Sequence, residues 1–241
     1  TLTFTGAPSS NAGNNIFVYY LASQVGTVGH PAAQNLSAGT GTFTGDVTIG
    51  DASAADKKIL FDGNAQDFHI GLDDSTDSLI IGKGSTLGTT TSMAFDANGI
   101  ITKPLQPAFM ARPASTQSNI AVGSEVTIAF GTEVFDQNAD FASNTFTAPV
   151  TGKYFLSCQL YASNIDSASA FYESSIKTSN RVHYSTIDPD FGQDNANFSF
   201  TLAVLTDMDA GDTAIVQFNQ GSGTQQTDIP ATSHFSGYLD C

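Results

Sequence analysis

Tryptophan is absent from this 241-residue chain, methionine occurs three times and cysteine only twice. Basic residues are almost as scarce: eight Lys and Arg stand against 23 Asp and Glu, a formal charge of −15. That balance argues against a nucleic-acid partner, because neutralising phosphates takes clustered Lys and Arg. Long apolar runs are missing as well. The longest, Ile16 to Ala22, is far too short to span a bilayer, so no membrane insertion is expected. At the start of the chain no basic segment precedes an apolar one in the manner of a signal peptide. No Gly-x-Ser-x-Gly elbow, phosphate-binding loop or His-Glu zinc motif occurs. No stretch keeps a three-to-four residue apolar period, so helix should be nearly absent.

What remains is a Phe-rich, Gly-rich and hydroxyl-rich chain, with 18 Phe and 22 Gly. Tyr154, Leu156 and Cys158 alternate with Lys153, Phe155 and Ser157. Phe198, Phe200, Leu202 and Val204 alternate with Ser199, Thr201 and Ala203. Period-two patterns of this kind put one residue set on a buried sheet face. Further β-branched and aromatic runs lie at 126–130, 170–176, 181–187 and 213–219. Turn formers such as Gly152, Asn180, Pro189, Gly192, Gly211 and Gly221 separate them. Short strands spaced in this way predict an all-β sandwich or barrel. Cys158, on the buried parity, behaves as a small apolar residue.

The chain before this region is different. Residues 39–104 contain no Glu and no Arg. They break into short apolar pieces, such as Lys57-Lys-Ile-Leu-Phe61, Asp67-Phe-His-Ile-Gly71 and Ser78-Leu-Ile-Ile-Gly82, each ended by Gly, Asp or Asn. One such strand cannot bury its apolar side alone, so the segment is expected to share a core among three chains as an intertwined β-rich shaft. Residues 1–38 read as a β-hairpin module already under way, from Thr3-Phe-Thr to Asn15-Ile-Phe-Val-Tyr-Tyr20. Thr1 is expected to be internal to a longer polypeptide, or the start of a truncated or processed form. The domain division is therefore 1–38, 39–104 and 105–241.

Several side-chain groups bear on chemistry. Asp73, Asp74 and Asp77 share one turn, and Asp188, Asp190 and Asp194 surround Pro189, Phe191 and Gly192. Either trio could offer oxygen ligands to Ca²⁺. The competing reading is ordinary, since Asp side chains cap turn backbones, and no other cofactor is indicated. His30, His69, His183 and His234 are scattered singly, whereas zinc needs clustered ligands. A glycan-cleaving pair could be nominated from Asp166 with Glu173 or Asp188. Nothing singles these residues out, so the chain is read as a binding protein and not as an enzyme.

Two late stretches carry a family resemblance. Phe146-Thr-Ala-Pro-Val-Thr-Gly152-Lys-Tyr154 and Ser233-His-Phe235-Ser-Gly237-Tyr-Leu239-Asp-Cys241, with Ala210-Gly-Asp212 between them, resemble the globular head of complement component 1q and its tumour-necrosis-factor relatives. Pro107-Ala-Phe109 supplies the opening strand. Phe130, Asp136 and Phe141 match the middle signature, although Phe146 follows two residues early and Leu156 and Cys158 stand where aromatics are usual. The resemblance implies a ten-stranded jelly roll that forms homotrimers, with Phe109, Tyr154, Leu156, Phe200, Phe235 and Leu239 in the core or at the trimer contact. A trimer would carry three times −15, or −45, which favours solubility and could attract cations. The family topology would also place the strand of Cys158 beside the final strand, so that a bridge to Cys241 is conceivable, although a reducing cytoplasm disfavours one.

The opening segment and the shaft sequence are similar to modules of marine bacteriophage tail fibres. Together the resemblances imply a virion protein bound to other tail proteins, whose head attaches to a host surface glycan or protein. An extracellular bacterial adhesin or filament subunit is the alternative, and a glycan-degrading tailspike a lesser one. Heads of this family keep both termini near the stalk. Counting antiparallel strands back from the last one then puts the loops at 162–169, 188–195 and 220–232 at the free tip, and 207–212 toward the shaft. The receptor-binding candidates are Asn164, Asp166, Asp188, Asp190, Phe191, Asp194, Gln225 and Gln226.

Overall fold

A computed structural model describes residues 39–241; the hairpin expected before Tyr20, the run from Ile16 and His30 lie outside the described residues. From Ile49 onward the chain forms one compact unit. Among the described residues there is no helix, and so none long and apolar enough to cross a membrane.

Five strands come first: β1 (Lys57–Phe61), β2 (Phe68–Asp73), β3 (Ser78–Lys83), β4 (Thr91–Phe95) and β5 (Ile101–Thr102). They pair antiparallel in chain order, as a meander. The ladder is therefore made within one chain. Besides the edges at β1 and β5, a single chain leaves one face of this sheet open. The short turns follow the residues available: Asp73 Oδ1 accepts the Ser75 amide at 3.0 Å and its hydroxyl at 2.6 Å, and Asp77 adopts φ of 51°.

Eleven strands follow, one more than the ten expected, several of them very short. They are β6 (Ala108–Arg112), β7 (Val126–Thr127), β8 (Thr132–Asp136), β9 (Phe141–Ala142), β10 (Thr145–Thr147), β11 (Gly152–Ile165), β12 (Tyr172–Thr178), β13 (Val182–Ile187), β14 (Asn195–Met208), β15 (Thr213–Gln220) and β16 (His234–Leu239). One sheet runs β14-β11-β16-β6-β8. The other runs β13-β12-β15-β10-β9, with β7 also on β15. The two sheets form a jelly-roll sandwich, closed by inward residues of alternate parity.

The alternation read from the sequence holds along β11, where Tyr154, Leu156, Cys158, Leu160 and Ala162 are all fully buried. On β14 the same parity points inward, but only Phe200 of the four residues singled out is fully buried; Phe198, Leu202 and Val204 are half-buried. β14 is the outermost strand of its sheet, so its inner side is only partly roofed. Phe109, Tyr154, Leu156, Phe200 and Phe235 are buried in the core cluster, whereas Leu239 is only partly buried. Leu239 sits at the end of β16, where the sandwich opens and its carbonyl accepts the Gln106 side-chain amide at 3.0 Å.

The motif residues have identifiable mechanical roles. Phe109 stacks on Phe141 and Phe146, with ring centroids at 5.0 and 4.7 Å, and meets Phe235 edge-on at 5.0 Å. Asp136 accepts the backbone amides of Asp140 (3.1 Å) and Phe141 (2.9 Å), which holds Phe141 against that cluster. Gly211 takes φ of 92°, a conformation costly for any side chain. Asp212 then closes the turn, its Oδ2 accepting the Asp209 amide at 2.8 Å and the Asn180 side-chain amide at 2.7 Å.

The expected neighbourhood of Cys158 and the last strand is present, but the bridge is not: both cysteines are free. Cys158 lies opposite Phe235, while the Cys241 carbonyl accepts the Lys153 amide at 2.6 Å. Five residues of extended strand, roughly 16 Å, separate those two positions along β11, beyond the reach of a disulfide.

Candidate functional site

The two ends of the head differ in what they hold. At one end Gly152 pairs with Met208, Leu239 donates its amide to Pro107 O at 3.0 Å, and Gln137 Nε2 donates to the Lys103 and Gln106 carbonyls at 2.8 Å. Both head termini and the turn at 207–212 are therefore at this end. At the other end β11 finishes at Ile165 opposite Asn195, the first residue of β14.

Three loops converge beyond that pair, as strand counting requires. The Asp194 carboxylate joins two of them to its own: Oδ1 accepts the Ser167 amide and hydroxyl, each at 3.0 Å, and Oδ2 accepts the Gln226 side-chain amide at 3.1 Å. The Ser167 amide, followed by Gln226 and the Ser167 hydroxyl, holds the Asp194 carboxyl below the usual carboxylate range. Asn164, with φ of 57°, donates its side-chain amide to Asp228 Oδ2 at 3.1 Å. Asp228 Oδ1 accepts the Asn119 amide at 2.8 Å, and Gln225 Nε2 reaches the Asn119 carbonyl at 2.7 Å. A polar hollow of about 310 Å³ lies here, lined by Asn164, Asp194, Asn195, Ala196 and Gln226.

Asp166 plays a different part from the one its type suggested. Its side chain is buried and accepts the Ala168 amide at 2.8 Å and the Thr224 amide. Below it Tyr172 accepts the Asp166 amide at 2.9 Å and shares a hydrogen bond with the buried Thr227 hydroxyl at 2.9 Å. Burial, before any other cause, pushes the Tyr172 hydroxyl pKa up. Asp166 thus braces the loops from beneath. Glu173, its nominated partner for hydrolysis, accepts the Thr186 hydroxyl at 3.2 Å on the solvent side of β12.

Asp188 and Asp190 form a local turn, in which Asp188 Oδ1 accepts the Asp190 amide at 3.3 Å. Among the described residues no three His, Cys, Asp or Glu side chains cluster so as to hold a metal ion. Phe191 is exposed and stacks on Phe198, with centroids 6.1 Å apart and planes at 25°. Asn164, Asp194, Gln225 and Gln226 are therefore brought together with Asp166 beneath them, while Asp188 and Asp190 stay in their own turn. Asn119, Ser167, Asn195 and Asp228 were not singled out. Asn119 enters from 109 residues before Asp228, a separation that carries no local signal.

This is the geometry of a jelly-roll head that presents loops at one end and its connections at the other. The C1q domain family matches residues 108–239, more than half of the chain, and the chain belongs to that family. Domains of this family bind ligands, commonly as homotrimers, and are typically not enzymes. Among solved structures, the globular domain of the zebrafish complement 1qA protein is 17% identical with a TM-score of 0.44, covering 56% of this chain and 98% of that one. Murine APRIL at pH 8.0 is 12% identical with a TM-score of 0.42, covering 56% and 99%. No curated protein matches the chain.

Proposed function

We propose that the chain is the receptor-binding end of a phage tail fibre, a homotrimer whose C1q-type heads attach a virion to a glycan or protein on the host surface. The observation that carries the recognition role is the knitting of the 162–169, 188–195 and 220–232 loops into one surface at the end opposite both head termini. The surface combines amides, one ionised carboxylate and an exposed aromatic ring, a set suited to shallow polar epitopes. Three heads on one stalk raise apparent affinity by effective concentration, so each contact need only be weak. The phage setting rests on the likeness of the shaft sequence to tail-fibre modules.

The trimer reading is supported by the outer face of the β14-β11-β16-β6-β8 sheet. Leu205, Phe155 and Tyr238 lie side by side across three strands there, with Met110 and Phe135 on the next two. Leu205, Tyr238 and Phe135 are each about half exposed in the single chain, an apolar row that association would cover.

The test of recognition is adsorption of labelled protein to host cells. Replacing Phe191 and Gln225 with Ala together should abolish adsorption while light scattering still gives three times 25.2 kDa. Unchanged adsorption by an intact trimer would move the binding surface to the flanks of the head.

A further inference from the structure

The first sheet has its polarity inverted. Along β2 the residues that alternate toward the covered side are His69 and Gly71, while Phe68, Ile70 and Leu72 face outward. On β3 the covered residues are Ser78, Ile80 and Gly82, and Leu79 faces outward. The register aligns these outward residues across strands: Phe61 with Phe68, Ile59 with Ile70, Ile70 with Ile81, Leu72 with Leu79, and Leu79 with Phe95. A sheet with one wet face normally turns its apolar set inward. Here the covered side is occupied by the chain's own 84–90 segment. Lys83 donates its amide to Thr90 O at 2.9 Å, His69 Nδ1 lies 2.8 Å from Gly84 O, and a Cβ on Gly82 would meet Thr90 O at 2.7 Å. That side is closed over β2 and β3, where His69, Gly71, Ser78, Ile80 and Gly82 are buried, and the opposite, apolar side is left open.

We infer that this outward face of β1–β4 is a self-association surface, occupied by the same face of two further copies of the chain. The inference rests on the homotrimer reading and adds to it an interface apart from the head. Three features favour a second copy over another occupant. First, the outward positions of these pairs hold Lys57 and Lys83 but no Asp or Glu, Asp73 lying on the covered parity, so the face itself adds none of the acidic repulsion that a charge of −15 would otherwise impose. Second, Ile59, Phe61, Phe68, Ile70, Leu72 and Leu79 are 36–54% exposed. Six such side chains offer roughly 500 Å² of apolar surface, within the about 300–600 Å² of the largest patch on a typical monomer and a large part of the roughly 800 Å² that one partner gives a standard interface. Third, a hollow of about 210 Å³ on this sheet, lined by Ile49, Lys57, Ile59, Ile70, Leu72 and Leu79, gives a neighbouring side chain a place to seat.

The experiment uses the full chain carrying Cys241→Ser, which leaves only the buried Cys158. Ile70→Cys is added on the open face, with Leu72→Cys as a second variant if the first does not fold. Ala97→Cys, in an exposed turn, reports ordinary reactivity. Light scattering, iodoacetamide labelling and copper-phenanthroline oxidation are read in parallel. Expected are a trimer, loss of labelling at I70C relative to A97C, and an oxidised dimer band from I70C that A97C lacks. A trimer whose I70C thiol labels as freely as A97C overturns this inference and leaves the head trimer standing. A trimer with a protected but uncrosslinked thiol means that the face is covered within one chain, which also overturns it. A monomer overturns both readings.

Discussion

Phe235→Ala tests the core placement most directly. Phe235 is fully buried on β16, the central strand of its sheet, and touches three other rings. It meets Phe109 edge-on at 5.0 Å, Phe130 at 5.9 Å and Phe141 at 6.2 Å. Truncating a buried Phe costs about 3–5 kcal/mol, according to how far the site collapses. Stacked rings anchored on two sheets collapse poorly, and each lost aromatic pair adds roughly 0.5–1.5 kcal/mol to area burial. The expected loss is therefore in the upper half, about 4–5 kcal/mol, or roughly 10–15 °C in Tm for a domain of this size. Thermal melts of parent and variant must be taken at one protein concentration, because association makes Tm concentration-dependent. Phe235→Leu should recover about half of the loss, since it refills volume without the edge contacts. A Phe235→Ala variant that melts within about 2 °C of the parent would refute the packing argument.

Gly237→Ala should destabilise by about 1–3 kcal/mol by overpacking, because the new Cβ would lie 2.6 Å from Leu156 Cδ2 and 2.9 Å from Phe109 Cε1; a melt unchanged from the parent counts against that close approach. Iodoacetamide should label one thiol per native chain, at Cys241, and a second only after unfolding. Burial raises the Cys158 pKa to about 11, leaving almost no thiolate, so rapid labelling of two thiols would be inconsistent with the fold. Asp194 should couple the tip to acid. Its folded pKa is depressed, so its contribution is complete above the ordinary value of 3.8 and is lost as pH falls through the lower folded one. The Ser167 amide resonance should titrate below 3.8 and become flat in Asp194→Asn; a midpoint at or above 3.8 would contradict the hydrogen-bonded arrangement.

Much of the head was legible in the order of residues. The period-two run of β11 carries its own burial, because alternation in a strand maps directly onto the two sides of a sheet. Gly211-Asp212 and Gly237 also announce themselves, since a left-handed turn and a crowded strand crossing each admit few residue types. The convergence of three loops followed from counting antiparallel strands between fixed ends.

Other features had to wait for the tertiary structure. Leu239 has the right parity but lies where the sandwich opens, and depth along a strand is not encoded in alternation. Asp166 reads as an exposed acid and serves as a buried brace, because the Thr224 amide that satisfies it arrives from 58 residues away. In the first sheet the short apolar strands were visible, but not which side the 84–90 segment would cover. By itself the sequence determined that 39–104 holds short apolar strands, none able to bury its apolar side alone. Only the tertiary structure decided that a single chain closes over His69 and Gly71 and leaves Phe68, Ile70 and Leu72 open, because which side is covered depends on where a returning loop lies and not on the hydropathy of the strand beneath it.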